Sequence, residues 1–288
     1  MANSKLIILL TSLLPSLLVA ASPLSFTPPQ PQSAGHVASY PNRTIAGVTV
    51  IDTPVVRVAQ AHARAHASDF VYNHVMRGWL FGVLLWNHQV QQAQEYISNS
   101  HGNTTAIATA VDAPEAFDLE VHAVATLLHD LGWDQTPGSP FISPDRRFEV
   151  DGAIASRDFL SQYQRNHTAT GAPWDHRRTQ LVWDAIALHS TDSIHKYKEA
   201  EVRVVGQGIW MDFEGPRLGV TAAEYAAVVA EFPQAGFRSG ANETFVWLCA
   251  SKPTTTYDTF MQPFGENFVA NYSAKGQRAY DIIMSAPN

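Results

Sequence analysis

The stretch Leu127-Leu128-His129-Asp130-Leu131-Gly132-Trp133-Asp134 decides how this chain is read. An adjacent His-Asp pair stands at the end of an apolar helical run, just ahead of a glycine. Imidazole and carboxylate side by side are ready ligands for a divalent metal, and a costly pair to leave on a core helix otherwise. The run leading to the pair is predicted to be helical from about Glu115 to Leu131. Asp112 is available as its N-cap, Pro114 stands early in its first turn, and Gly132 is expected to end it.

The rest of the chain carries the same period. Apolar positions recur at spacings of three and four over residues 56–67 and 68–98. Further helices are predicted over 148–164, 173–190, 200–212, 221–232, 240–251 and 265–285, the last with an interruption allowed for. Strand-like runs joined by hairpin signals are not evident. The expected class is all-α, a single helical bundle spanning residues 55–288, with no internal repeat.

Ahead of the bundle, Lys5 and the apolar run Leu6–Ala20, followed by Val19-Ala20-Ala21, have the shape of a secretory leader over residues 1–21. The apolar run is too short, and too broken by Pro15, for a membrane span. Residues 22–54 are rich in Pro, Ser and Thr, which predicts an extended arm. Five N-x-[ST] sequons, at Asn42, Asn103, Asn166, Asn242 and Asn271, accord with export to the secretory lumen or beyond. The single cysteine, Cys249, rules out an intramolecular disulfide and reads as a small buried side chain. With 288 residues, 45% of them hydrophobic, the chain can rely on core size instead. Its net charge of −7 and lack of a basic tract argue against nucleic acid and anionic membranes.

Four residues are candidates for one metal site: His74, His129, Asp130 and Asp212. Each lies in a segment apolar enough to be buried. Burying two imidazoles and two carboxylates without partners costs several kcal/mol, which a shared divalent cation offsets. Arg77, one turn after His74, could orient a substrate or an acidic ligand, or pair with Glu149 or Asp151. His189, closing Ala185-Ile186-Ala187-Leu188, is the best candidate for a substrate-facing acid or base. Asp134 could take a proton from water at the metal, or cap the following turn. His122, two turns and about 10 Å before His129, is too far away to share a metal and reads as structural.

The order His74, His129-Asp130, Asp212 resembles the signature of the HD superfamily of metal-dependent hydrolases. Asn73-His74-x-x-Arg77, the His129-Asp130 block, Arg147–Ala153, Ala185–His189 and Gly208-Ile209-x-x-Asp212-Phe213 resemble its fungal cyanamide hydratase-like branch. The resemblance spans about residues 55–275. It implies an HD-domain helical bundle and one divalent metal, zinc first with iron or manganese as alternatives, on those four residues. It also implies addition of water across a nitrile, or a related hydrolytic or lyase step. Trp133 stands where HD phosphohydrolases often carry an acid, and an aromatic there favours a small or apolar substrate over a phosphate.

Three other functions stay in play at this stage. An HD phosphohydrolase would need a basic pocket, which Arg77, Arg146, Arg147 and Lys196 could build. A di-iron HD oxygenase would need two more ligands from His167, His176, His189 and His195. A secreted binding protein would leave the metal residues without a catalytic task. The expected partner is a small-molecule substrate, with no nucleic acid and no membrane once the leader is cleaved; a homo-oligomer is left open.

Overall fold

The computed structural model describes residues 40–99, 117–167 and 172–287. Among them are eleven α-helices and one two-stranded sheet, an all-α bundle in one compact unit. The expected leader, residues 22–39 of the expected arm, Asn103 and the Asp112–Glu115 helix start lie outside the described residues.

The arm was expected to remain extended as far as Pro54, and its last part does not. Asn42–Ile45 (β1) and Val48–Ile51 (β2) pair antiparallel, with Ile45 opposite Val48. Ala46 and Gly47 turn the chain with φ +50° and +79°. Two successive positive φ values give a turn whose twist matches the strands. Val48, Val50 and Ile51 face the core, and Arg57 donates to Asp52 at 2.8 Å, tying the hairpin to the first helix.

Pro54–His66 (α1) starts on a proline, where a missing N–H costs nothing. Asp69–Asn99 (α2) follows and is the longest element. Leu119–Leu128 (α3) begins one turn later than the sequence suggests, because Asp118 is the cap, accepting from the amides of Glu120 and Val121. Arg178 then binds Asp118 and Glu120, fastening the start of α3 to His176–Leu188 (α5). Nearly every residue of α3 is buried, as a helix apolar all round requires.

Phe148–Asn166 (α4) packs along α5, and Ala200–Glu214 (α7) lies chiefly against α2. Asp192–His195 (α6) is a short turn of helix between α5 and α7. Ala222–Glu231 (α8) opens on a capping box between Thr221 and Glu224, and Phe237–Ser251 (α9) follows. The stretch 265–285, where the sequence allowed for an interrupted helix, holds two, Gln262–Phe268 (α10) and Ala279–Met284 (α11). Asn271 and Gly276 between them take φ +62° and +84°, which no helix accommodates.

Of the sequons within the described residues, Asn42, Asn166 and Asn271 are exposed. Asn242 is half-buried inside α9, and its Thr244 is buried with the hydroxyl donating to the Gly240 carbonyl.

Candidate metal centre

The site starts from a helix crossing. A Cβ on Gly208 would stand 2.7 Å from the Gly78 carbonyl oxygen and 2.8 Å from the Gly82 nitrogen. Only a glycine therefore lets α7 touch the α2 backbone. His74 lies one turn before Gly78, and Asp212 one turn after Gly208, so the crossing sets the two side chains against each other. Their Nδ1 and Oδ2 are 2.7 Å apart.

The third element is the end of α3. The helix stops at Leu128, three residues earlier than expected, and Gly132 is not its cap. His129 keeps helical angles, whereas Asp130 turns away with φ −100° and ψ 20°, and Leu131–Trp133 forms a 3-10 turn. Gly132 matters for a different reason: a Cβ there would be 2.1 Å from the Phe148 carbonyl oxygen. Successive residues of a regular helix diverge around its axis. Leaving the helix at Asp130 instead brings its Oδ2 to 3.1 Å from His129 Nε2 and 3.6 Å from His74 Nε2.

One ligand atom each from His74, His129 and Asp130 lies within 4.8 Å of the others, and all three residues are buried. His129 Nδ1 faces the Thr126 carbonyl at 2.8 Å, which presents Nε2 to the group. His74 is held at Nδ1 by Asp212, which likewise presents its Nε2. His129 Nε2 and both Asp130 oxygens are buried with no hydrogen-bond partner among the described residues. Burial pushes the Asp130 carboxyl up, but the neighbouring His129 and His74 imidazoles outweigh it and hold it below the usual carboxylate range. Orphaned polar atoms of this kind cost free energy unless something binds them. Two imidazole nitrogens, each held from behind at Nδ1, and a carboxylate are a donor set able to hold a metal ion.

Asp212 does not join the group. Its Oδ1 accepts from Arg77 Nε and Gln234 Nε2, and its Oδ2 from Arg77 NH2 and His74 Nδ1, each at 2.7 Å. Burial raises its carboxyl, and the His74 and Arg77 bonds override that, bringing it down to about 2. The fourth residue expected at the metal from the sequence, Asp212, thus stands outside the three-residue group and holds the His74 ring at Nδ1.

Arg77 is fully buried and spends its guanidinium on Asp212 and on the carbonyls of Phe232 and Pro233. It orients an acidic group, as one of its expected roles had it, and makes no pair with Glu149 or Asp151. Those acids are met by Arg147 and Ser190, and by Arg146 and Lys252.

Asp134 caps its turn, accepting from the Thr136 amide at 3.0 Å and the Ser139 hydroxyl at 2.9 Å. It faces a separate cavity with His66, Ser68 and Glu243, beyond Trp133, so the expected role as a base at the metal finds no geometry. His189, in contrast, is where the sequence reading put it. Its ring centroid is 4.8 Å from that of His129, its Nδ1 faces the Ile186 carbonyl at 2.6 Å, and it lines the cavity described next. Burial, with His129 adding to it, pushes its imidazole down to about 4, so His189 is neutral at pH 7.

A cavity of about 200 Å³ opens over the group, with His74, Asp130 and His189 on its floor. Trp133 and Phe148 form one wall, and Ile209, Trp210 and Phe213 of α7 another. The remainder comes from Phe245, Phe260 and Phe264 in the C-terminal third, which the sequence reading had not connected with the site, nor had it Gln234. The Trp210 indole N–H donates to the His189 carbonyl at 3.0 Å, leaving its ring face for the cavity. None of Arg77, Arg146, Arg147 or Lys196 lines this space, so the basic pocket they were expected to build is not formed there. Of the four histidines considered for a second metal, His189 alone does.

Fold and site together define an all-α protein with a buried His-His-Asp group able to hold a metal ion, set under an aromatic cavity. No protein-family model and no curated protein matches the chain.

Proposed function

We propose that this chain is an exported, metal-dependent enzyme of the HD type that brings water to an uncharged small molecule, in a hydration or hydrolysis like that of cyanamide hydratases. The observation carrying this reading is the orphaned set of atoms, His129 Nε2 and the Asp130 oxygens beside His74 Nε2, buried where His74 and Asp130 line a cavity. A carboxylate buried without a hydrogen bond costs free energy that a bound ion offsets.

The donor set of two imidazoles and one carboxylate suits zinc, with iron and manganese accepting the same atoms. Such an ion, when bound, lowers the pKa of water from 15.7 to about 7 and polarises a substrate atom. The chain's own residues do the rest. His74 and His129 present Nε2, Asp130 presents its carboxylate, and Asp212 with Arg77 keeps the His74 ring from rotating. His189, with Nδ1 engaged by the Ile186 carbonyl, offers Nε2 to the cavity as an acceptor for a proton of the attacking water. The aromatic walls exclude bulk water around that transfer. The absence of a Lys or Arg among the residues lining the cavity disfavours a phosphate ester as substrate.

Elemental mass spectrometry of the full chain from a eukaryotic secretory host, with no added metal, tests the reading. About one zinc, iron or manganese per chain is expected, lost in His129→Ala and Asp130→Ala together with turnover in a nitrile screen. Full activity in a metal-free variant would sink the proposal. N-terminal sequencing of the recovered protein tests export, with a new terminus near Ala21 expected.

A further inference from the structure

The cavity walls say more about the substrate than the metal residues do. We infer, resting on the enzyme reading above, that the substrate is an uncharged nitrile carrying an apolar body of about one aromatic ring, not cyanamide itself. Three observations converge on this.

The first is size against lining. An apolar cavity of about 150 Å³ takes up benzene. The space here is about 200 Å³, enough for a ring and a linear polar head. Cyanamide has no apolar body and would leave most of the space vacant or wet against Phe245, Phe260 and Phe264. The second is charge. No Lys or Arg lines the cavity, and the Ser190 hydroxyl is already given to Glu149 at 2.5 Å. An anionic group on the substrate would be desolvated there without a partner. A cationic group would meet the divalent ion. The third is the mouth. Phe213 and Phe260 line the cavity and yet are 47% and 36% exposed, so an apolar ligand meets rings before it reaches the polar floor.

The head must then be a group that His189 Nε2, His74 and Asp130 can serve while the body lies among the rings. For R–C≡N, one water adds across the triple bond: its oxygen bonds to carbon, both protons end on nitrogen, and the carboxamide R–C(O)NH2 leaves. No oxidant, reductant or further reactant is needed.

Isothermal titration calorimetry of the metal-loaded full chain with benzonitrile, cyanamide and benzoate is the test. Benzonitrile is expected to bind at least about tenfold more tightly than either of the others, the least that burying a phenyl ring supplies. The same order in His129→Ala supports the inference, because the walls set it without the metal. Ile209→Trp, which fills the cavity, is expected to abolish benzonitrile binding while circular dichroism is unchanged. Cyanamide or benzoate binding as tightly as benzonitrile to the unaltered protein overturns the inference, and that comparison does not depend on any variant folding. Undiminished benzonitrile binding in a folded Ile209→Trp overturns it too. An unaltered protein that takes up no metal but keeps the ligand order overturns the enzyme reading alone.

Discussion

Asp212→Asn separates a positioning carboxylate from a metal ligand. In the fold the Asp212 carboxylate accepts four hydrogen bonds at 2.7 Å, from His74 Nδ1, twice from Arg77 and from Gln234. Asparagine keeps the shape but turns one acceptor into a donor that must face donors. If that face is Oδ2, His74 loses the bond that fixes its tautomer. Loss of a carboxylate behind a ligating histidine typically weakens metal binding about 10- to 100-fold, or roughly 1.4–2.7 kcal/mol. Stability falls as well, because the fully buried Arg77 guanidinium then faces a neutral amide in place of a carboxylate, beside the Phe232 and Pro233 carbonyls. Breaking a buried pair costs roughly 3–5 kcal/mol, and those two carbonyls place the loss near the lower end. For a domain of this size that is a fall of about 6–12 °C in Tm. Zinc titration against a competing chelator, on protein shown folded by circular dichroism, reads the metal term. Asp130→Asn beside it should take up no metal. If Asp212→Asn loses the metal as completely as Asp130→Asn while folded, Asp212 is a ligand and its assignment to positioning is wrong.

Three further outcomes follow from other buried contacts. His122 is buried with neither ring nitrogen partnered among the described residues, and burial pushes its pKa down to about 3 from an unfolded value near 6.5. Between those values the unfolded chain binds one more proton, so stability falls as pH drops below 6.5, by about 1.4 kcal/mol per pH unit from this group. His122→Leu should therefore flatten the fall in urea midpoint between pH 6 and 4, and an unchanged slope would contradict the neutral buried imidazole. Gly208→Ala puts a Cβ 2.7 Å from the Gly78 carbonyl oxygen and forces α7 off α2. Overpacking of roughly 1–3 kcal/mol should outweigh alanine's better helix propensity of about 1 kcal/mol, so a Tm that does not fall refutes the close crossing. Asp151 accepts from Lys252 Nζ at 2.7 Å and Arg146 Nε at 3.0 Å, with Lys252 only 2% exposed. Asp151→Ala should cost roughly 3–5 kcal/mol by stranding that ammonium, and Arg146→Ala under about 1 kcal/mol, since the Arg146 side chain is 45% exposed. Equal losses in denaturant melts would show that the pairing is misassigned.

What could be read from the chain alone was local. Apolar period placed the starts of α4 at Phe148 and α7 at Ala200, and that of α8 within one residue, at Thr221 against the observed Ala222, because periodicity acts within a few residues. His74 and the His129-Asp130 pair stood out because polar groups in apolar helices need a reason. The β1–β2 hairpin escaped notice because its strands are short and its Ala46-Gly47 turn lacks the usual asparagine, although Val48 and Val50 do alternate with Thr49. The C-terminal break was allowed for but not located, because positive φ at Asn271 and Gly276 leaves no mark on hydrophobic spacing.

Sequence by itself determined the helical class, the candidate ligands and the suspicion that His189 belongs beside them. Tertiary structure alone decided which of four polar residues converge, since that depends on where α3 lets go and how closely α2 and α7 cross. It set Asp212 against His74, Arg77 from 135 residues away and Gln234 from the turn after α8. It also brought Phe245, Phe260 and Phe264 over the site. Hydrogen-bond saturation and cavity walls are products of packing between distant segments, and no local pattern encodes them.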